Sequence, residues 1–135
     1  MKLIVNVDGG ARGNPGPAAI GVVVRTEDGD VVAEAAETIG KTTNNVAEYR
    51  ALIRGIELAA QNGASELELF GDSELVVKQV RGEYKVKDAG LKPLHAEARA
   101  ALSAFGAWSF SHVRREKNAD ADALVNQALD AESII

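Results

Sequence analysis

The sequence predicts a mixed α/β fold, a five-stranded sheet covered by helices. Three observations predict it. The first 40 residues hold three apolar runs of strand length, joined by glycine-bearing turns and free of helical periodicity. After them, strand-length runs alternate with helix-length amphipathic stretches, which implies right-handed crossovers and parallel pairing. Repeats, linkers and low-complexity segments are absent, so residues 1–135 read as a single domain.

LIVNVD, Leu3 to Asp8, reads as strand β1 ending in an acid, and the Gly-rich turn GGARGNPGPA follows it. AIGVVVRT, Ala19 to Thr26, is β2. EDGD is a hairpin signal because Asp-Gly tolerates positive φ. VVAEAAETIG, Val31 to Gly40, is β3, so β1, β2 and β3 form an antiparallel meander. A helix over Val46 to Gln61, α1, stops at Asn62-Gly63. ELELF, Glu66 to Phe70, alternates as β4. Ser73 to Val80 reads as α2, and Leu94 to Phe105 as an Ala-rich α3. WSFSHV, Trp108 to Val113, is β5, and Ala119 to Leu129 is α4. The order βββαβααβα makes β1, β4 and β5 the parallel part of the sheet.

Composition narrows the function classes. With 46% hydrophobic and 26% charged residues the chain reads as globular and soluble. Its apolar runs are too short for a membrane span, and the one in MKLIVNVDGG is too short for a signal peptide. The lack of cysteine excludes disulfides, thiolate chemistry and Cys-based zinc sites, and it fits a reducing cytoplasm. Only two histidines exist, His95 and His112, so a His-rich metal site is excluded. The net charge of −5 argues against nucleic acid when taken alone. However, Lys78, Arg81, Lys85, Lys87 and Lys92 form one basic stretch and Arg114, Arg115 and Lys117 another. Acids committed to cations would also cancel much of the negative total.

Four acids carry the chemical signal. Glu48 shares the apolar face of α1 with Leu52, Gly55, Ile56 and Ala59, where an unpaired carboxylate is expensive. Asp8 could be a plain turn residue before Gly9. Asp72 could be an N-cap, a role for which Ser73 competes. Asp122 and Asp120 both suit the first turn of α4, and spacing does not choose between them. Together, Asp8 and Asp72 end neighbouring strands, where ligand sites of open α/β sheets lie. Glu48 and Asp122 sit near helix starts that could pack beside those ends. Converging carboxylates repel unless hard cations neutralise them. Oxygen-only ligands favour Mg²⁺ or Mn²⁺ over zinc, and such a site suits two-metal phosphodiester cleavage.

The motifs DGGARGNPGPAAIG, TTNNVAEYRALI, GDSELVVKQV and REKNADADAL resemble, in order and spacing, those of type 1 ribonuclease H. The resemblance runs from Leu3 to about Leu129. It implies an antiparallel β1-β2-β3 and parallel β1-β4-β5 sheet, and cutting of RNA paired to DNA by two Mg²⁺ ions, with Mn²⁺ as a substitute, leaving 5′-phosphate and 3′-hydroxyl ends. Residue by residue it implies Asp8, Glu48, Asp72 and Asp122 as catalytic metal ligands, which decides against Asp120. It gives Asn14, Asn44 and Asn45 minor-groove contacts and Thr43 a DNA phosphate. Gly9 and Gly10 would let the RNA backbone approach; otherwise they are turn glycines, and the asparagines N-caps. A-form-like duplexes suit such shape-based reading.

The sequence also departs from the family pattern. Glu74 stands where many members carry Gln, and the basic protrusion is reduced to GEYKVKDAGLKPL with Lys85, Lys87 and Lys92. Many members carry a His on a loop before the last acid. Here His112 continues the WSFS alternation and Arg115 is its rival, ahead as a phosphate contact; neither is expected to be essential. Asn118 reads as an N-cap, a support for the acids, or both. His95 reads as structural or solvent-facing, and Trp108 and Phe110 as core. A monomer is expected. The closing AESII suggests one domain of a longer protein, as in actinobacterial fusions of a similar domain to a phosphatase. Two other readings stand beside the nuclease: an inactive hybrid-binding module, and a nuclease of the wider fold acting on DNA or single strands.

Overall fold

A computed structural model describes residues 1–133; the two closing isoleucines singled out above lie outside the described residues. The elements are β1 (Lys2–Ala11), β2 (Gly16–Thr26), β3 (Val31–Thr42), α1 (Asn44–Gln61), β4 (Glu66–Gly71), α2 (Glu74–Val80), α3 (Lys92–Leu102), β5 (Ala107–His112), a 3-10 turn (Arg115–Lys117) and α4 (Ala119–Ser133). The sheet order is β3-β2-β1-β4-β5. β1 is antiparallel to β2 and parallel to β4, β2 is antiparallel to β3, and β4 is parallel to β5. Fold class and element order are as the sequence predicts.

The two sheet faces are covered differently. Leu3, Val5, Val7, Val22, Leu67 and Leu69 pack with Leu52 and Ile56 of α1, Val76 and Val80 of α2, and Ala98 and Leu102 of α3. On the other face Val125, Ala128 and Leu129 of α4 meet Ala19 of β2 and, at its margin, Ala36 of β3. Alternation along β2 serves both clusters at once, because successive strand residues face opposite sides. Among the described residues no helix is long and apolar enough to cross a membrane.

Local chemistry sets the element ends. β1 does not stop at Asp8 but runs to Ala11, because β2 keeps pairing with it through Ala11↔Ala18. Its parallel ladder to β4, however, ends at Val7↔Gly71. Asp8 is thus the first β1 residue beyond that ladder, so it still lies at the carboxyl edge of the parallel strands. α1 begins at Asn44, and its N-cap is Thr43, whose Oγ1 accepts from Val46 N at 3.3 Å. The asparagines are therefore not caps, and Glu48 lies beyond the first turn. Ser73 caps α2 by accepting from Val76 N at 3.3 Å, which leaves Asp72 without that task. Asn62 is the C-cap of α1, and Gly63 follows at φ 88°.

α3 closes the far end of α2. His95 Nε2 lies 3.0 Å from the Gln79 carbonyl oxygen, and Arg99 Nη1 donates to the Val80 carbonyl at 2.6 Å. Both carbonyls lie at the helix end, where they fall outside the regular helical ladder. His95 is accordingly structural. Phe110 is buried core, and Trp108 packs at its margin with the Arg99 guanidinium 5.7 Å from its ring centre.

α4 approaches β2 closely only because residue 21 is glycine: a Cβ there would overlap the Ala121 carbonyl oxygen and touch Leu124 Cβ. Gly21→Ala should lower stability by about 1–3 kcal/mol by forcing α4 outward. Urea unfolding checks this, and an unchanged midpoint would show that α4 docks more loosely than described.

Candidate active site

Asp8, Glu48 and Asp72 converge. One carboxylate oxygen from each lies within 4.8 Å of the other two. Three elements bring them together: the end of the β1–β4 ladder supplies Asp8, the second turn of α1 supplies Glu48, and the residue after β4 supplies Asp72. Asp8 is 5% and Glu48 9% exposed. Glu48 Oε1 accepts one hydrogen bond, from Gly9 N at 3.3 Å. Asp72 Oδ2 is buried with no hydrogen-bond partner. A buried carboxylate oxygen without a donor is costly, and a cation held by the cluster would satisfy it.

Gly9 and Gly10 lie in β1, not in a turn. A Cβ on Gly9 would collide with the Ala47 carbonyl group and press on Glu48 N. The glycine is thus required by the seating of α1 on β1, which delivers Glu48 to Asp8. A Cβ on Gly10 would meet Val125 Cγ1 at an ordinary 3.6 Å, so its surroundings leave room.

The fourth acid joins from the other face. Asp122 is half-buried and lines the same cleft, close enough to Asp8 to hydrogen-bond with it and raise its pKa. It is not within the tight group of three. Asp120 turns away and pairs with Arg25 on β2, which decides the ambiguity that spacing left open. Asn118 is 1% exposed. Its Nδ2 donates to the Val7 carbonyl at 2.9 Å and its Oδ1 accepts from Asn6 Nδ2 at 3.0 Å. It is a bolt between the start of α4 and β1, one residue from Asp8, while its own carbonyl accepts from Asp122 N at 3.1 Å.

The cleft measures about 480 Å³ and is open to solvent. Asn44 and Asn45 line it with Gly9 and Gly10, and Arg115 lines it as well; Asn14, Thr43 and His112 do not. Asn14 works from behind, its Oδ1 accepting from Asn44 N at 3.1 Å, and Asn44 Oδ1 accepts from Ala11 N at 2.8 Å. His112 is exposed at the end of β5, opposite Gly71. Arg12 and Asn126 line the cleft too and carried no role in the sequence reading. Arg12 stood inside a quoted motif, and Asn126 is one helical turn beyond Asp122, so only Asn126 carried a signal in its spacing along α4.

Crowding shows in the acid strengths. Burial, followed by the charge of Asp72, pushes Asp8 up to about 8. Burial, followed by the charge of Asp8, raises Glu48 well above the ordinary carboxylate range. Oxygen donors alone, without His or Cys, suit a hard divalent cation. Bound there, such an ion would remove the repulsion that these acids otherwise relieve by holding protons.

A mixed five-stranded sheet with an acid cluster at the carboxyl edge of adjacent parallel strands defines the class, a ribonuclease H-like fold. A family model described as reverse transcriptase-like matches residues 6–128. Ribonuclease HI of Halobacterium salinarum is 51% identical over 123 residues, 91% of this chain and 62% of that protein. A crystal structure of RNase H1 from that archaeon superposes with a TM-score of 0.95 at 48% identity, covering 97% of this chain and 99% of that one. The bifunctional protein Rv2228c of Mycobacterium tuberculosis is 48% identical over 97% of this chain, which spans 36% of its length. Its N-terminal RNase H domain superposes with a TM-score of 0.92 at 46% identity, covering 95% of this chain and 98% of that one. LC11-RNase H1, isolated from compost by a metagenomic approach and crystallised with an RNA/DNA hybrid, gives 0.92 at 47% identity, covering 96% and 98%. The chain belongs to the type 1 ribonuclease H family. It spans less than two thirds of the length of the first curated relatives.

The raised acids set a pH dependence. A carboxyl whose folded pKa lies above its unfolded value stabilises the fold below the unfolded pKa, and that contribution is lost as pH rises through the folded pKa. Metal-free protein should therefore lose stability between about pH 4 and pH 8, the window from the ordinary Asp value to that of Asp8. Asp8→Asn should flatten this slope and raise the metal-free melting temperature at pH 8 by roughly 3–6 °C. Calorimetric melts across pH test it, and a flat wild-type profile would count against the cluster.

Proposed function

We propose that the chain is a divalent-metal-dependent endoribonuclease that cuts the RNA strand of RNA/DNA hybrids, leaving 5′-phosphate and 3′-hydroxyl ends. The observation that carries this reading is the buried, donor-less Asp72 oxygen within an all-carboxylate cluster, in a chain of this family. Asp8, Glu48, Asp72 and Asp122 would hold Mg²⁺, or Mn²⁺ in its place. When bound, the ions supply Lewis acidity toward the phosphodiester and its leaving oxygen.

The chain's own groups supply the rest. Gly9 N holds the Glu48 carboxylate in place. Asn44 lends its carboxamide oxygen to Ala11 N, so its amino end is left to face acceptors in a minor groove. Asn45 stands beside it in the cleft, while Asn14 and Thr43 fix the start of the helix that carries both. The resemblance gives Asn14 a minor-groove contact as well, and Thr43 a phosphate of the DNA strand. Arg115 brings a permanent cation to the cleft from the turn that follows β5, suited to a phosphate. Residues 1–135 would act as one such unit and as a monomer, and the absence of cysteine suits a reducing cytoplasm. The hybrid complex of a relative with 47% identity supports hybrid over other duplexes. The presence of all four acids disfavours an inactive binding module.

The test is cleavage of an end-labelled hybrid beside RNA·RNA and DNA·DNA duplexes, with Mg²⁺ or Mn²⁺ and with chelator. Only the RNA of the hybrid should be cut, and only with metal. Asp8→Asn and Asp72→Asn should each lower kcat by about 10³-fold or more while hybrid binding persists. An intact hybrid beside folded protein and metal would end the proposal. Arg115→Ala should raise KM a few-fold and reduce the salt dependence by about one phosphate contact; an unchanged salt slope would remove Arg115 from the interface.

A further inference from the structure

Asp122 is the least constrained of the four acids. The other three meet within 4.8 Å of one another, whereas Asp122 is half-buried and arrives on α4, from the opposite face of the sheet to α1 and α2. A side chain of α4 itself reaches its carboxylate. Asn126 lies one turn further along the same stripe. Its Nδ2 donates to the Asp122 main-chain oxygen at 3.2 Å and reaches Asp122 Oδ2 at 3.5 Å. Its Oδ1 accepts from Arg12 Nη2 at 3.5 Å. That same nitrogen donates at 2.6 Å to Asp130, another turn along. Arg12 belongs to the turn between β1 and β2, and it thus lies across two turns of α4 at the edge of the cleft.

A carboxamide can present either end, and only its partners decide which. Arginine has no acceptor, so Arg12 takes the oxygen end of Asn126 and leaves the amino end for Asp122. The bond to Asp130 keeps the guanidinium there. We propose that Arg12 and Asn126 are positioning residues that hold the Asp122 carboxylate toward the acid cluster, so that the β1–β2 turn and α4 align the fourth ligand together. This deepens the nuclease reading and rests on it. Because the 3.5 Å contacts are at the long end of the hydrogen-bond range, the expected effect is one order of magnitude and not several.

The test compares wild type with Arg12→Ala, Arg12→Lys, Asn126→Ala and the Arg12→Ala/Asn126→Ala double variant, on hybrid substrate and in calorimetric titration of the protein with Mn²⁺. Each alanine variant should lower kcat by about tenfold with KM within about twofold. Each should also weaken Mn²⁺ binding several-fold. The double variant should be no worse than either single, because both break one relay. Arg12→Lys should recover most of the loss, since an ammonium can donate to both Asn126 and Asp130. Alanine is a good helix former, so Asn126→Ala should fold, and circular dichroism verifies it.

If Arg12→Ala raises KM, leaves kcat unchanged and shallows the salt slope, Arg12 is a phosphate contact and the positioning role is overturned. Additive losses, or an Asn126→Ala enzyme equal to wild type, would overturn it as well. If wild type leaves the hybrid uncut, the nuclease reading fails instead. The Mn²⁺ titrations, and the shift of the Asn126 side-chain amide signal in Arg12→Ala, still decide the relay on their own.

Discussion

Asp8, Glu48 and Asp72 are pressed together where the parallel ladder of β1 and β4 gives out, and their mutual repulsion is the constraint around which the site is arranged. In water three carboxylates would drift apart. Here Asp8 and Glu48 are buried and cannot, so each is driven toward holding a proton. The fold tolerates this because its cores are elsewhere: one cluster under α1, α2 and α3, another under α4. The stability of those cores sustains a centre that is unfavourable in isolation, a usual arrangement at functional sites.

Each acid is delivered by a small device. Gly9 lets α1 sit close enough for Glu48 to reach Asp8, and returns a backbone N–H to the same carboxylate. Ser73 caps α2, which leaves the Asp72 oxygen without a donor and directed inward. Asn118 fastens α4 to the Val7 carbonyl, adjacent to Asp8, and Gly21 gives the helix room on β2. None of these groups need touch a substrate. They convert a sheet edge and two helices from opposite faces into one convergent set of oxygens.

The charge distribution follows from the same geometry. A chain of net charge −5 would repel a polyanion, but four of its twenty acids line the cleft that cations would occupy. Arginines line the cleft on both flanks, Arg12 beyond β1 on the β2 side and Arg115 beyond β5. Arg12 is engaged with Asp130, while Arg115 belongs to the short 3-10 turn that precedes α4. Net charge alone is therefore a poor guide to whether a chain takes a nucleic-acid partner, because such affinity depends on local placement.

The sequence by itself determined the element order and the mixed sheet and narrowed the site to a few acids, because strand alternation, helical periodicity and glycine turns are local signals. Glu48 was legible as an acid on an apolar face, and that oddity marked the site. What only the tertiary structure decided depends on contacts between distant segments. Pairing with β2 carried β1 past Asp8 to Ala11. Thr43 took the cap of α1 in place of the asparagines. The need for glycine at position 9 came from the Ala47 carbonyl of a helix almost 40 positions later. Asp120 was drawn away from the cleft by Arg25, a partner 95 residues away, whereas Asp122 lines it. Such pairings carry no sequence period, so only the closed chain could select among residues that spacing made equivalent.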